Sequence, residues 1–235
     1  MSLARIPIIL AVALSNHATM TPPNPPPEGS DKKVAHGAEA FFVKTVRWVP
    51  FLAKSIVWAE TLCEVAALLA LRAQSTSPLA ARLLAILAPA HTATRIQPSR
   101  ALLAGAVLAL AGGAVRVACY RALGRLFTYE LTVRRAHALV TQGPYSVVRH
   151  PSYVAGTLAW AGVALCMFGP GAWVRECGVP AGRAMGALWA AMTVFLVGNF
   201  VVRTRVEDEM MRREFGEEWE RWAKRVAYRL VPGVF

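Results

Sequence analysis

The sequence predicts an all-α protein, a polytopic transmembrane bundle of about five or six spans with an interfacial helix near its C-terminus. Three observations carry this prediction. Of its 235 residues 55% are hydrophobic, with a mean hydropathy of +0.40. Only 17% are charged, against about a quarter in a soluble globular domain. The apolar residues are gathered into blocks, and two of these, Val154–Pro170 and Ala184–Val202, hold no charge at all.

The blocks divide the chain into three regions: a short apolar segment and loop over 1–30, N-terminal spans over 31–122, and a C-terminal region over 123–235. Ile6–Leu14 is short for a span, which takes about 20 apolar residues, so it reads either as a cleaved signal sequence or as a short tilted helix. The Pro-rich stretch 21–30 is a loop. Phe41–Leu71 is helical in character but carries Lys44, Arg47, Lys54, Glu60 and Glu64, which leaves Ser55–Leu71 as the inserted part. Glu60 and Glu64 share one face. Carboxylates at bilayer depth face protein or water, and theirs is either a polar helix contact or a cavity lining.

Leu79–Ala90 is a further short block. Ala101–Val115 is uncharged, with Arg116 and Arg121 placed to snorkel at its end, and its Gly105, Gly112 and Gly113 suit close helix packing. Cys63, Cys119, Cys166 and Cys177 have no CxxC or His partner spacing, which speaks against a metal site or disulfide framework.

Val154–Pro170 and Ala184–Val202 form a helical hairpin around a Gly- and Pro-rich loop. Two crossings return the chain to one membrane face, so the segments before Val154 and after Val202 meet there. From Arg116 to Arg149 six arginines, Arg116, Arg121, Arg125, Arg134, Arg135 and Arg149, stand against Glu130 alone. Such an excess marks the cytoplasmic side. Basic residues beside apolar spans are the expected topology signal of a membrane protein, so the net charge of +12 does not call for a nucleic-acid partner.

The first of these segments reads HALVTQGPYSVVRHPSY over 137–153. Gly143-Pro144 signals a turn, and His150-Pro151 an extended His150 followed by a helix start at Pro151. Free backbone N–H groups at that start attract anionic ligand groups, and Tyr145 and Tyr153 suit a flat or apolar ligand. The second segment reads RTRVEDEMMRREFGEEWERWAKRV over 203–226. Arg203 and Glu207 fall on one helix face at i,i+4. Phe215, Trp219 and Trp222 among alternating charges fit an interfacial helix with its aromatics towards lipid.

Together HALVTQGPY, RHPSY and RTRVED followed six residues later by FGEEW resemble the isoprenylcysteine carboxyl methyltransferase family, part of a wider set of membrane methyltransferases that includes phospholipid methyltransferases. The likeness runs from about Leu123 to Pro232. It implies S-adenosylmethionine-dependent methylation of the C-terminal carboxylate of a prenylated cysteine in CaaX-processed proteins. The enzyme would lie in the endoplasmic reticulum membrane with its cofactor pocket on the cytosolic face. By resemblance Glu130, His137, Ala138, Leu139, Val140, Tyr145, His150, Pro151, Ser152, Tyr153 and Glu207 meet the cofactor, and Arg203 meets the acceptor carboxylate. Arg203 and Glu207 are the expected catalytic pair. The family's paired Glu-Glu reads Glu207-Asp208 here.

The chemistry of these residue types agrees. A sulfonium donor suits a nearby carboxylate. A carboxylate acceptor is already a nucleophile that needs positioning and desolvation rather than a base or metal, and an arginine fork holds it through two hydrogen bonds. The expected partners are the prenylated cysteine and the lipid bilayer. The alternatives are a methyltransferase for another membrane substrate such as a phospholipid amine, or a non-enzymatic scaffold or transporter. A nicotinamide-dependent reductase lacks a G-x-G-x-x-G fingerprint here.

Overall fold

The computed structural model describes residues 2–25, 48–129, 138–178 and 180–234, and all regular structure among them is helical. Eight α-helices are labelled here: α1 Arg5–Thr19, α2 Trp48–Ala73, α3 Pro78–Leu87, α4 Arg100–Leu123, α5 Pro151–Phe168, the single turn α6 Trp173–Glu176, α7 Pro180–Phe215 and α8 Glu217–Arg225. The starts follow local chemistry. Ser77 and Ser99 cap α3 and α4 by accepting hydrogen bonds from the N–H groups of Ala80 and Leu102. Pro151 opens α5 as its sequence position predicts.

Three helices among the described residues are long and apolar enough to cross a membrane: Arg100–Leu126, Pro151–Glu176 and Gly182–Phe215. The expectation of five or six spans counts α1, α2 and α3 as well. Of these, α1 has 15 residues and α3 only 10, short of the roughly 20 a straight span takes. α2 has 26 but carries Lys54, Glu60 and Glu64.

α4 and α5 are in backbone contact because small residues face each other. A Cβ on Gly112 would stand 2.6 Å from the Ala155 carbonyl oxygen, and one on Gly162 would stand 2.4 Å from the Ala109 nitrogen. Lipid gives no hydrophobic drive for helices to associate, so close van der Waals packing of this kind supplies the attraction. α1 packs against α4, with Ser15 donating to the Ala109 carbonyl. Ile9, Val12, Val57, Leu102, Trp160 and Val163 form the central core. The Trp160 and Trp189 rings stack at 4.0 Å and 18°, joining α5 to α7.

Glu64 resolves as a helix contact, whereas Glu60 is buried beside it with its Oε1 unpartnered among the described residues. Arg5 meets Glu64 through two bonds, Nε to Oε1 at 2.6 Å and Nη2 to Oε2 at 3.1 Å, with both side chains fully buried. The Trp173 N–H adds a third bond to Glu64 at 3.0 Å. Arg116 departs from the snorkelling expectation. It is buried at 7% exposure, donating to the Thr19 carbonyl, the Tyr120 hydroxyl and Ser152. Those oxygens lie between helices at its own level, so its guanidinium has no need to reach bulk water.

Candidate functional site

The α5–α7 hairpin forms as expected and brings the two motif segments together. They enclose a cavity of ≈ 220 Å³ against the C-terminal end of α4. Ala138, Leu139 and Val140 line it from the incoming strand of chain, and Tyr145 from the 3-10 turn Gly143–Ser146. Gly143 takes φ +61 there, a left-handed backbone that glycine adopts without strain. His150, Ser152 and Tyr153 line the mouth of α5, and Phe200, Arg203 and Glu207 the facing side of α7. Pro151 is buried beneath this wall rather than on it. Glu130 and His137 lie outside the described residues.

α7 continues past the apolar stretch without a break, and this projects Arg203, Glu207 and Asp208 over the start of α5. Arg203 is 4% exposed; its Nη1 donates to the Tyr129 carbonyl at 2.8 Å and its Nη2 lies 3.4 Å from Glu207 Oε1. The Tyr153 hydroxyl donates to the same Glu207 oxygen. His150 lies between two carboxylates, Nδ1 3.2 Å from Glu207 Oε2 and Nε2 3.0 Å from Asp208 Oδ1. A neutral imidazole has one N–H, whereas the imidazolium donates from both nitrogens. Burial works against that charge, but the hydrogen bonds to Asp208 and Glu207 outweigh it and raise the His150 pKa above its ordinary 6.5. Tyr145 is shifted upward by burial and stays neutral.

Several participants were given other roles by sequence. Arg149, an expected topology anchor, lies 3.4 Å from Asp208 Oδ2 and places its guanidinium 5.7 Å from the Trp219 ring centre. Trp219 and Trp222 do not face lipid. They are 9% and 6% exposed, pack with Cys119, Tyr145 and Val226, and line the cavity. Their spacing defines an apolar face of α8, and only tertiary structure says that this face covers the protein's own cavity. Arg229 donates to Asp208 Oδ2 at 2.7 Å; its only sequence signal is a positive charge after the last helix.

The cavity joins a carboxylate, the start of α5 at Ser152, aromatic rings and a buried arginine. It can hold a ligand with a cationic centre and an anionic one beside an apolar wall.

Comparison with known proteins finds one family model that falls on the α4 and α5 side of this site. Residues 101–174 match the sequence model of the family described as Phospholipid methyltransferase. That match starts earlier than the motifs suggest and ends before Arg203. Protein-S-isoprenylcysteine O-methyltransferase B of Arabidopsis thaliana is 30% identical over 124 residues, 52% of this chain and 55% of that protein. A probable protein-S-isoprenylcysteine O-methyltransferase of Oryza sativa subsp. indica is 30% identical over 125 residues, 52% of this chain and 56% of that one. The chain thus spans about half the length of the curated relatives it matches. No solved structure matches it. The segment that lays down α4, the mouth of the cavity and α5 is therefore similar to the phospholipid methyltransferase family, and about half of the chain is similar to proteins named isoprenylcysteine O-methyltransferase.

Proposed function

We propose that this protein is an S-adenosylmethionine-dependent carboxyl O-methyltransferase acting on the C-terminal cysteine of isoprenylated proteins. In this reading it resides in the endoplasmic reticulum membrane with the cavity open to the cytosol. The observation that carries the proposal is the pairing of buried Arg203 with partly buried Glu207 on one turn of α7, facing the α5 mouth across the cavity. The relatives' names support the prenylcysteine acceptor.

The residues present fit such a donor. Glu207 supplies negative charge for a sulfonium and an ammonium. The Ser152 N–H at the start of α5 suits a carboxylate, and Tyr145, Leu139 and Val140 give an apolar wall for an aromatic base. When bound, S-adenosylmethionine provides an electrophilic methyl group on a sulfonium. The protein's task is then to place a carboxylate in line with it. Arg203, held by Tyr129 and Glu207, presents a fixed cation for that carboxylate. Phe200 and Trp160 keep that side of the cavity apolar. There the acceptor sheds water, and the transfer gains from proximity rather than from a general base. Glu130 and His137 join the donor site by resemblance alone.

The family match favours one second reading, methylation of a phospholipid amine. The test is methyl transfer by the purified protein in liposomes, from labelled S-adenosylmethionine to a short S-farnesyl cysteine or to phosphatidylethanolamine. Transfer to the cysteine carboxylate is expected. Transfer to the amine alone would move the protein to the second reading, and no binding of S-adenosylmethionine by folded protein would remove both.

A further inference from the structure

The C-terminal tail after α8 folds back onto the turn that precedes α5. The Arg149 N–H donates to the Tyr228 carbonyl at 3.0 Å and the His150 N–H to the Arg229 carbonyl at 2.9 Å. The Arg149 side chain reaches the Ala227 carbonyl at 3.2 Å. Val226, which begins this tail, is 3% exposed and packs with Trp219, Trp222 and Tyr145. The tail is thus strapped across the outer side of the cavity mouth by backbone and side-chain bonds.

The strap reaches the site through one carboxylate. Asp208 Oδ1 bonds His150 Nε2, and Asp208 Oδ2 takes the Arg229 Nε–H at 2.7 Å with Arg149 3.4 Å away. Asp208 is 5% exposed. A carboxylate bonded on both oxygens has its rotamer fixed, and it fixes the ring it accepts from; groups one step removed from a ligand orient those that touch it in this way.

We propose that the C-terminal strap is part of the functional site and that Arg229 is its positioning residue, holding Asp208 and, through Asp208, the ring of His150 against the cavity. The proposal rests on the cofactor reading above only where it concerns S-adenosylmethionine. The link from Arg229 to His150 stands on geometry alone.

Among the described residues, charged and titratable groups face His150 from three elements. Glu207 and Asp208 face it from α7, with Arg203 behind Glu207. Tyr153 stacks on it from α5 at 6.0 Å, Arg149 precedes it, and Arg229 comes from the tail. Arg229 draws on the charge of Asp208. In Arg229→Gln that charge falls more fully on His150, and one nearby cation is gone; both changes favour the imidazolium.

The experiment labels the histidines of the full-length protein in detergent micelles and follows them by NMR against pH, using His150→Asn to assign the signal. S-adenosylmethionine affinity is measured on the same samples by calorimetry. Arg229→Gln is expected to raise the His150 midpoint by about half a unit or more and to weaken cofactor binding by about fivefold. Arg229→Lys should restore most of both, because it returns the cation. Tyr228→Ala should change neither, because Tyr228 contributes only its carbonyl. An unchanged or lowered His150 midpoint in Arg229→Gln, with the chain still folded, overturns the proposal. So does a shift in Tyr228→Ala as large as that in Arg229→Gln. If the wild-type protein binds no S-adenosylmethionine, the methyltransferase reading fails by itself, and the His150 titration still decides the strap.

Discussion

Glu207 Oε2 stands 3.2 Å from Nδ1 of His150, so a residue of α7 is tied to the residue that immediately precedes α5. The tie crosses the cavity mouth, and the other Glu207 oxygen serves Tyr153 and Arg203. One carboxylate therefore sets the relative position of both motif segments. Its bonds to a cation, an imidazole and a phenol make it costly to replace even by its own amide, which offers one acceptor oxygen in place of two.

Arg203 and Glu207 should separate by kinetic signature. Arg203→Ala is expected to raise the acceptor KM and to lower kcat/KM for an S-farnesyl cysteine by roughly 100-fold, the scale of lost orientation. Glu207→Gln should act first on the donor and weaken S-adenosylmethionine binding by about tenfold. Steady-state rates with each substrate varied, beside calorimetry, check both. Near-wild-type activity in both variants would remove them from the site.

The raised His150 pKa fixes the sign of a pH dependence. The folded value lies above the unfolded one, so the imidazolium's contribution to stability is complete below the unfolded value of 6.5 and is lost as pH rises through the folded value. The midpoint of thermal unfolding should therefore fall towards alkaline pH more steeply in wild type than in His150→Asn. The gap between the two should be widest on the acid side. Parallel curves would show that His150 does not titrate between its two carboxylates.

The hairpin, the α5 start and the Arg203–Glu207 pair were legible because each rests on short-range rules: charge-free runs, Pro after His, and i,i+4 spacing. Span counting then placed two distant segments on one face, and the cavity lies between them. The bonds of Asp208 to Arg149 and Arg229 were not legible. They join three segments whose register depends on how the tail returns, and no local pattern encodes that return. The burial of Arg116 and of Trp219 was hidden for a related reason. An amphipathic pattern says which face is apolar, whereas lipid and protein satisfy that face equally well. Glu130 and His137 fall outside the described residues.

Close packing of α4 on α5 also holds the site, because Arg116 on α4 donates to the Ser152 carbonyl at the α5 start at 2.9 Å. Gly112→Val should push the helices apart, since even its Cβ would meet the Ala155 carbonyl oxygen at 2.6 Å. A loss of about 1–3 kcal/mol of stability is expected from such overpacking, with weakened S-adenosylmethionine binding. Valine at Gly198, where a Cβ meets nothing within 4 Å, serves as the control and should leave both unchanged. Thermal unfolding and calorimetry read the pair, and equal losses in the two would argue against a packing cause.

Neither Arg5 nor Glu64 lines the cavity, and the pair tests what a buried charge does for this fold. Arg5→Met alone leaves Glu64 buried with, among the described residues, only the Trp173 N–H for a partner, and should cost about 3–5 kcal/mol. Replacing both residues, as Arg5→Met with Glu64→Leu, removes the charge that needed solvation and should recover most of that loss. The recovery would be incomplete, because the Trp173 N–H and the Gln97 carbonyl that Arg5 meets at 3.1 Å both lose a partner. Denaturation of the two single variants and the double variant in one detergent gives the coupling directly. A double variant no more stable than Arg5→Met would mean that the pair does more than neutralise itself, and that its geometry clamps α1 to α2 in a way apolar packing does not replace.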